Sequence, residues 1–348
     1  IQPQPAKLGA FSKASGNGQV FWEIPGQLNV FTRPYAGLWG YLAQVYYFMA
    51  SDTDQAINPP AMLLTGASSQ IGAFVIPRLV RAGFRVFAVS RKGRPDGFPS
   101  FDQVEWLNAD EALDVVNRCQ YLLSAGPLDL ALTFLSSSKH FQKAVVFSSS
   151  SVETKQRSGN RAEKSQIQDM LVVESKLKSV AENFGSKLVI FRPTLIYGCG
   201  LDTNISRLAA WIKRFGFMPV NGKATGLRQP VHADDLAVAA VTAMLSEEDL
   251  PGVMNLCGGE TLSYSEMVCR IFAAFGKPPR LVRLPQWLFV FLVKIAGLFR
   301  SGRDINSEMV RRQRVDLVFD DQQARQLLNY DPRSFAPRCR DFSLPDFE

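Results

Sequence analysis

The sequence predicts an α/β protein built on a doubly wound parallel sheet. From Ala61 onward, short apolar runs of strand length alternate with stretches whose apolar residues recur at helical spacing. A glycine-containing turn, TGASSQIG, joins the first strand to the first helix. Alternation of this kind is typical of parallel sheets covered by helices on both faces. With 46% apolar and 20% charged residues, the 348-residue chain has the composition of a globular protein.

Six strands are predicted before the C-terminal half of the chain begins. In order they are AMLLTG, FRVFAVSR, VEWLNAD, YLLSAG, KAVVFSSSS and KLVIFRPTLIYG. The first strand is followed by the helix IGAFVIPRLVRAG, and three further helices, ISRLAAWIKRFG, HADDLAVAAVTAML and SYSEMVCRIFAAFG, come after Tyr197. We therefore divide the chain into an N-terminal arm (1–60), a nucleotide-binding domain (61–196) and a smaller lobe (197–348) with some chain returning to the sheet.

Two apolar segments predict contacts with something outside the domain. Pro34–Ser51 has no charged residue and is dense in aromatic side chains, which favours either packing on a protein surface or anchoring at a membrane interface. Pro285–Phe299 is strongly apolar but is interrupted by Lys294, which is typical of a buried or interface helix. A protein complex or a membrane surface is therefore a candidate partner of both segments.

Charge and cysteine content exclude several classes of function. The formal net charge is +7, but the basic residues are spread along the sequence without an aromatic-rich basic stripe, so nucleic-acid binding is not expected. Five cysteines without a CxxC pair, together with two histidines, predict no metal site. Unpaired thiols indicate a reducing compartment such as the cytoplasm, with the protein either free there or at the periphery of a membrane.

The turn TGASSQIG has the pattern of a Rossmann-type dinucleotide-binding loop. Gly66 permits the tight turn after the strand, and Gly72 lets the next helix pack close to the sheet. The N-terminus of that helix then offers free N–H groups and its dipole to a pyrophosphate. Ser69 stands where a middle glycine is usual. The expected contacts of this loop with the dinucleotide are Gly66, Ser68, Ser69, Gln70, Ile71 and Gly72.

The ends of the next strands predict how the rest of the dinucleotide is held. The second strand ends in Ser90, Arg91 and Lys92 instead of the acidic residue that binds a ribose 2′-hydroxyl. A hydroxyl and two cations match a 2′-phosphate, so NADP(H) is preferred over NAD(H). Asp110, after the third strand, is the expected adenine contact, and Ala125 with Gly126 brings the fourth strand close to the cofactor.

Four motifs, TGASSQIG, VVFSSSSV, FRPTLIYG and LRQPVHADDLA, together resemble the extended and atypical short-chain dehydrogenase/reductases. The chain is most similar to bacterial proteins labelled NAD-dependent epimerase/dehydratase, over roughly Ala61 to Pro337. RFGFMPVNG followed by LRQPVHADDLA also resembles the accessory subunit of respiratory complex I that has this fold and keeps a nucleotide in a structural role. The resemblance implies a nicotinamide dinucleotide, with Pro193 of the FRP motif among its contacts.

The resemblance also implies a catalytic serine, tyrosine and lysine, of which the last two are in question. The serine position is Ser150, with Ser149 as the neighbouring candidate. In the family the lysine follows the tyrosine by four residues and lowers the pKa of the phenol. One alignment assigns the lysine to Lys176 and the tyrosine position to Val172.

The second alignment matches Glu174 to the acidic residue that follows the family's lysine. It assigns the lysine position to Met170 and the tyrosine position to Gln166, and we favour it because Lys176 lies too close to Pro193. Under either alignment the tyrosine is absent, since no tyrosine occurs between Tyr121 and Tyr197. The sequence therefore predicts that the usual acid/base of the family is missing.

Three residues of the predicted lobe complete the candidate site. The resemblance implies that Arg228 binds a substrate phosphate, although it could instead pair with Asp234 or Asp235. His232 is interpreted as a structural histidine and Tyr197 as a wall of the cleft.

Two functions follow from these predictions. The first is an NADP(H)-dependent, epimerase-like oxidoreductase acting on a nucleotide-linked or other anionic substrate without the tyrosine and lysine. The alternative is a catalytically silent, nucleotide-binding accessory subunit of a larger, membrane-associated complex. The missing dyad and the two apolar segments favour the alternative, whereas the intact loop and Arg228 favour the enzyme.

Overall fold

The computed structural model describes residues 59–98, 100–154, 160–291 and 307–344, with only the backbone at 307–309, and the backbone of two strands before them. Pro34–Ser51, and the part of Pro285–Phe299 beyond residue 291, lie outside the described residues. Within the described part of the chain, no helix combines the length and the hydropathy needed to cross a bilayer.

The chain divides into two compact units, Ile1–Thr53 and Asp54–Glu348. In the first unit, β1 (Val20–Ile24) and β2 (Gln27–Phe31) form an antiparallel hairpin. All other elements belong to the second unit.

A seven-stranded, fully parallel sheet forms the centre of the second unit. Its strand order is β13-β8-β7-β6-β3-β4-β5. The strands are β3 (Ala61–Thr65), β4 (Arg85–Val89), β5 (Val104–Leu107), β6 (Tyr121–Ser124), β7 (Lys143–Phe147), β8 (Lys187–Pro193) and β13 (Val253–Leu256). All six predicted strands and the doubly wound topology are confirmed. The order reverses between β3 and β6, and ligands of such sheets bind outside the carboxyl ends of strands at this point.

Helices cover both faces of the sheet and build the lobe. They are α1 (Gln70–Arg81), α2 (Ala109–Val115), α3 (Leu128–Ser137), α4 (Ser151–Thr154), α5 (Arg161–Phe184), α6 (Ile205–Phe215), α7 (Ala233–Leu245), α8 (Tyr264–Ala274), α9 (Ser307–Arg312) and α10 (Gln322–Leu328). Residues 286–291 are also helical. The four helices expected from apolar periodicity are therefore confirmed.

The 24-residue helix α5 is the longest element and was not assigned from periodicity. Asn160 caps its start by accepting hydrogen bonds from backbone N–H groups of its first turn, and Gly185 ends it with a left-handed backbone (φ 71°). Its buried residues Val173, Leu177 and Ala181 pack on the core beneath α3. At least three of every four of its residues are exposed or partly exposed. Its buried apolar stripe is therefore too narrow for the helix to be predicted from apolar spacing.

The region after Tyr197 contributes to the sheet as well as to the lobe. β13 extends the sheet beside β8, and α7 packs on α1. The lobe itself contains β10 (Met218–Asn221) paired in parallel with β15 (Leu281–Leu284), and β11 (Leu227–Arg228) paired with β14 (Leu262–Ser263). β9 (Ile196–Tyr197) and β12 (Val231–His232) connect the two parts.

Burial makes three of the five cysteine thiols unreactive. Cys119, Cys199 and Cys257 are buried, and Cys339 is exposed. Burial raises the pKa of Cys119 and of Cys257 to about 12, and that of Cys199 to about 11. A thiol reacts through its thiolate, so these three are unreactive near neutral pH.

We expect maleimide at about pH 7 to label Cys339 in the folded protein, and to leave Cys119, Cys199 and Cys257 unlabelled. Mass spectrometry of the digested protein locates the label, and labelling in denaturant, where all thiols react, is the control. Rapid labelling of Cys199 in the native protein would contradict the packing of the loop after β9 on α1, where its Sγ lies 3.8 Å from the carbonyl oxygen of Gln70.

Candidate functional site

The loop between β3 and α1 packs directly on the end of β6. Gly66 has a φ of +66°, and a Cβ at this position would lie 2.4 Å from the carbonyl carbon and oxygen of Ala125 and from the nitrogen of Gly126. No other residue fits there, because both the left-handed backbone and the missing side chain are required. A hydrogen bond of 2.7 Å from Thr65 Oγ1 to Ser124 Oγ joins the two strand ends just before this contact.

The N-terminus of α1 is pinned against the same loop. A Cβ at Gly72 would lie 2.3 Å from the carbonyl oxygen of Ala67. Ser69 caps the helix, and its Oγ accepts the N–H of Gly72 at 3.1 Å. The N–H groups of Gln70 and Ile71 have no acceptor within the helix, because they belong to its first turn. Gln70 Oε1 is also buried without a hydrogen-bond partner among the described residues.

This arrangement fits a dinucleotide pyrophosphate. Two first-turn amides and the positive end of a 12-residue helix face the carboxyl end of β3. The structure thus brings together the loop residues that the sequence predicted.

The residues predicted to hold a 2′-phosphate lie beside this loop. Val89, at the end of β4, is paired in register with the last residue of β3, so Ser90 follows at the same edge. Ser90 is buried and donates its N–H to the carbonyl oxygen of Leu107 at 2.9 Å. Arg91 and Lys92 are exposed. A fixed serine followed by two exposed cations is consistent with binding a phosphate at this strand end.

Asp110, the predicted adenine contact, lies in the first turn of α2 at the carboxyl end of β5. Its N–H donates to the cap residue Asn108 at 2.9 Å, and the residue is exposed. β5 is the edge strand, two positions from β3. Asp110 is therefore on the predicted side of the sheet, and its contact with adenine stays a prediction.

A buried charge network lies at the carboxyl ends of β7 and β8. Arg192 of β8 binds Glu174 of α5 through both carboxylate oxygens, with Nη2–Oε2 at 2.5 Å and Nε–Oε1 at 3.2 Å. Ser148 Oγ donates to the same carboxylate at 2.5 Å. The side chain of Glu174 is 4% exposed and that of Arg192 is 16% exposed. The sequence reasoning did not identify this network, although an arginine inside an apolar strand signals a buried partner.

The serine cluster after β7 is held next to the end of β8. The N–H of Ser150 donates to the carbonyl oxygen of Pro193 at 3.1 Å, and Ser150 is buried. Ser149 Oγ accepts the N–H of Ser151 at 3.2 Å. The structure therefore brings Ser150 and Pro193 together, as the resemblance implied.

The positions of the candidate residues around helix α5 bear on the two alignments of the dyad. Gln166, Met170 and Glu174 are spaced by four residues and share one stripe of the helix, the stripe that reaches Ser148 through Glu174. Lys176 is two residues further, about 200° around the helix, and it is exposed. The structure does not bring Lys176 to the serine cluster. This geometry favours the alignment with Gln166 and Met170, and the assignment of the dyad positions stays a prediction.

Arg228 is not available to a substrate phosphate in this structure. Its guanidinium donates to three backbone carbonyl oxygens, those of Leu227 (2.6 Å), Val315 (2.7 Å) and Arg312 (2.5 Å). The residue is 6% exposed, and burial lowers its pKa to about 10. The guanidinium of Arg228 thus binds backbone carbonyl oxygens of the protein itself, in place of the substrate phosphate that the resemblance implied.

The alternative partners of Arg228 are also engaged elsewhere. Asp234 binds Arg78 of α1 at 2.6 Å and Arg333 at 2.7 Å, and Asp235 binds Arg333 at 2.6 Å. These pairs tie α7 to α1 and to the C-terminal segment. Burial alone would raise the pKa of Asp234, but Arg78 and Arg333 outweigh it and hold the pKa below its usual value.

His232 and Tyr197 are structural residues of the lobe. His232 Nδ1 accepts the N–H of Asp234 at 3.0 Å and so caps α7, as interpreted from the sequence. Tyr197 is 1% exposed, and its ring packs on His232 and Phe335. The expectation that Tyr197 lines the cleft is therefore wrong, because the ring is part of the lobe's core.

Comparison with known proteins agrees with this geometry. No family model matches the chain. The UDP-glucose 4-epimerase of Vibrio cholerae is 24% identical over 159 residues, which is 46% of this chain and 46% of that enzyme. The chain therefore matches about half the length of this relative.

Solved structures cover more of the chain. The UDP-glucuronic acid 4-epimerase of Bacillus cereus, in complex with UDP-glucuronic acid and NAD, has a TM-score of 0.61, with 17% identity over 79% of this chain and 95% of the enzyme. The epimerase Mth375 of Methanothermobacter thermautotrophicus has a TM-score of 0.63, with 15% identity over 87% and 93%. This chain has the fold of these epimerases. The epimerase fold thus accounts for the sheet, the loop and the lobe together.

We expect Glu174→Gln to lower the free energy of unfolding by about 3 kcal/mol, because it removes the buried carboxylate and leaves Arg192 paired only with the more exposed Glu153. Urea denaturation measures the change. Glu182→Gln, an exposed glutamate of the same helix, is the matched control and should change stability by less than about 0.5 kcal/mol. Equal effects of the two substitutions would contradict the buried pair.

We expect Arg228→Met to lower the free energy of unfolding by about 3 kcal/mol, since three carbonyl oxygens lose their buried donor. Arg325→Met, which removes an exposed pair with Asp321, is the control. If Arg228→Met left stability unchanged but abolished the binding of UDP, the phosphate-binding role implied by the resemblance would replace the structural one.

Proposed function

We propose that this chain binds NADP(H) at the carboxyl ends of β3, β4 and β6, and acts as an atypical, epimerase-like oxidoreductase on a nucleotide-linked or other anionic substrate. The observation that carries the proposal is the contact of Gly66 with Ala125 and Gly126, which places the open end of α1 at the switch point of the sheet. The Bacillus cereus epimerase, of the same fold, was solved with NAD and UDP-glucuronic acid.

The preference for NADP(H) over NAD(H) rests on the end of β4. Ser90, Arg91 and Lys92 supply a hydroxyl and two cations, and no acidic side chain follows the strand to bind a ribose hydroxyl. The Bacillus cereus relative carries NAD, so this chain would differ from it in the 2′-phosphate subsite.

Groups of the protein itself would bind the phosphates of the cofactor and polarise the reacting oxygen of the substrate. The amides of Gln70 and Ile71 would hold the pyrophosphate, and Arg91 and Lys92 the 2′-phosphate. When bound, the nicotinamide ring gives or takes a hydride. Ser150, fixed at the end of β7, is the hydroxyl that would polarise the reacting oxygen.

Proton transfer is the step that this chain would have to perform differently. Helix α5 supplies Gln166 and Met170 at the two dyad positions, and neither side chain exchanges a proton near neutral pH. A serine or a water molecule held by the serine cluster would therefore carry the proton. Loss of a positioned acid/base typically costs roughly 10²–10⁴ in rate, so we propose slow turnover.

A second candidate function is a nucleotide-binding accessory subunit without turnover. Burial of Arg228 under residues 312–315 favours this function, because the guanidinium is bound to backbone carbonyl oxygens there. An ion pair between the first turn of α5 and α9 also favours it. In that pair, Arg312 Nη2 lies 2.8 Å from Glu163 Oε1. Glu163 precedes Gln166 by three residues, so the pair lies about one helical turn from the favoured tyrosine position.

We expect NADPH to bind more tightly than NADH in calorimetry, and Arg91→Ala to weaken NADPH about tenfold while leaving NADH unchanged, because only NADPH carries the 2′-phosphate. Arg94→Ala, an exposed arginine three residues away, is the matched control. Equal affinities for NADPH and NADH, or equal effects of the two substitutions, would show that the protein takes NAD(H) as its relative does.

Turnover separates the two candidate functions. The NADP⁺-loaded protein is incubated for hours with a panel of UDP-sugars, and both the reduction of the cofactor and epimerised products are followed. Turnover that Ser150→Ala abolishes without changing NADPH affinity supports the enzyme. Tight binding without any product supports the accessory subunit.

A further inference from the structure

Three aromatic rings form a cluster on the surface of the lobe, far along the chain from the cofactor loop. The ring centroids of Trp211 and Phe215 are 4.4 Å apart, and Phe217 lies 6.1 Å from Trp211 and 6.4 Å from Phe215. Gly216 ends α6 with a φ of +71°, which turns the chain back so that Phe217 meets the other two rings. Trp211 Nε1 donates to the carbonyl oxygen of Phe217 at 2.9 Å and fixes the turn.

The cluster is exposed although it is apolar. Phe215 is 46% exposed and Phe217 is 37% exposed. Val282 of β15, the strand paired with β10, is 43% exposed and adds aliphatic surface to this side of the lobe. Contiguous apolar surface of this kind marks a contact site.

Cations surround these rings without any acidic residue from the same segments. Lys213 and Arg214 are exposed in the last turn of α6, with the Arg214 guanidinium 5.1 Å from the centre of the Phe215 ring. Arg280 lies beside the start of β10, where its carbonyl oxygen accepts the N–H of Met218. Residues 205–223 carry four Lys or Arg and residues 276–291 carry three, with no Asp or Glu in either segment.

We propose that this aromatic–basic face, formed by Trp211, Arg214, Phe215, Phe217 and Arg280, binds the surface of an anionic lipid bilayer. Aromatic and aliphatic side chains enter the boundary between headgroups and acyl chains, while neighbouring cations attract the anionic headgroups. Attachment of this kind is peripheral and needs no spanning helix. The proposal is independent of the cofactor site, because none of these residues contacts it.

The geometry of the rings favours lipid over single-stranded nucleic acid. Bases bind aromatic residues by stacking on an open ring face. Here Phe215 lies against Trp211 on one side and the guanidinium of Arg214 on another, and the rings meet at 45° to 82°. The rings therefore pack on one another instead of standing apart as separate stacking platforms.

Flotation with vesicles tests the proposal on the full chain. We expect the protein to bind phosphatidylcholine vesicles containing about one-third phosphatidylserine at least about tenfold more tightly than pure phosphatidylcholine vesicles. Phe215→Ser with Phe217→Ser, and separately Arg214→Gln with Arg280→Gln, should each reduce binding to the anionic vesicles by about tenfold.

Matched controls are Leu327→Ser, an exposed apolar residue of α10, and Lys178→Gln, an exposed lysine of α5. NADPH affinity and thermal unfolding confirm that each variant is folded. Unchanged vesicle binding in both pairs of variants would overturn the proposal and assign membrane contact to another segment such as Pro34–Ser51. Tighter binding of a single-stranded oligonucleotide than of anionic vesicles would also overturn it.

Discussion

The second unit depends on one close contact between two pieces of backbone. Gly66 and Gly126 bring the ends of β3 and β6 within a distance that no side chain at Gly66 would allow. This contact fixes where α1 begins, and Gly72 then holds the helix against the loop. Through Arg78 and Asp234, α1 in turn positions α7, which closes one face of the sheet. The same backbone constraint thus determines both the packing of the domain and the shape of the candidate dinucleotide site.

Charged side chains of the candidate site bind structural partners within this protein. Glu174 binds Arg192 and Ser148, and Arg228 binds three backbone carbonyl oxygens. Burying such groups is costly unless every donor and acceptor is matched, so each interaction also restricts where α5 and the segment after α9 can lie. The stripe of α5 that would carry the dyad is therefore held in place, although the tyrosine and lysine themselves are absent.

The aromatic–basic face shows why a sequence pattern does not reveal charge clusters on the folded surface. Along the chain its cations are dispersed, and the sequence predicted no basic stripe. The parallel pairing of β10 with β15 brings residues 218–221 beside residues 281–284, and so joins two segments free of acidic residues. Charge clusters on a surface depend on which strands are neighbours, and strand pairing is not a property of either segment alone.

The sequence by itself determined the alternation of strands and helices, the parallel sheet, the glycine loop and the absence of a tyrosine between Tyr121 and Tyr197. These features follow from local periodicity and residue identity, which do not depend on distant contacts. Only the tertiary structure decided the partner of Arg228, the burial of Tyr197, the orientation of Lys176 away from the site and the return of Val253–Leu256 to the sheet. Each of these is set by groups far apart in the chain, because a buried charge or ring takes whichever partner the folded backbone brings within reach.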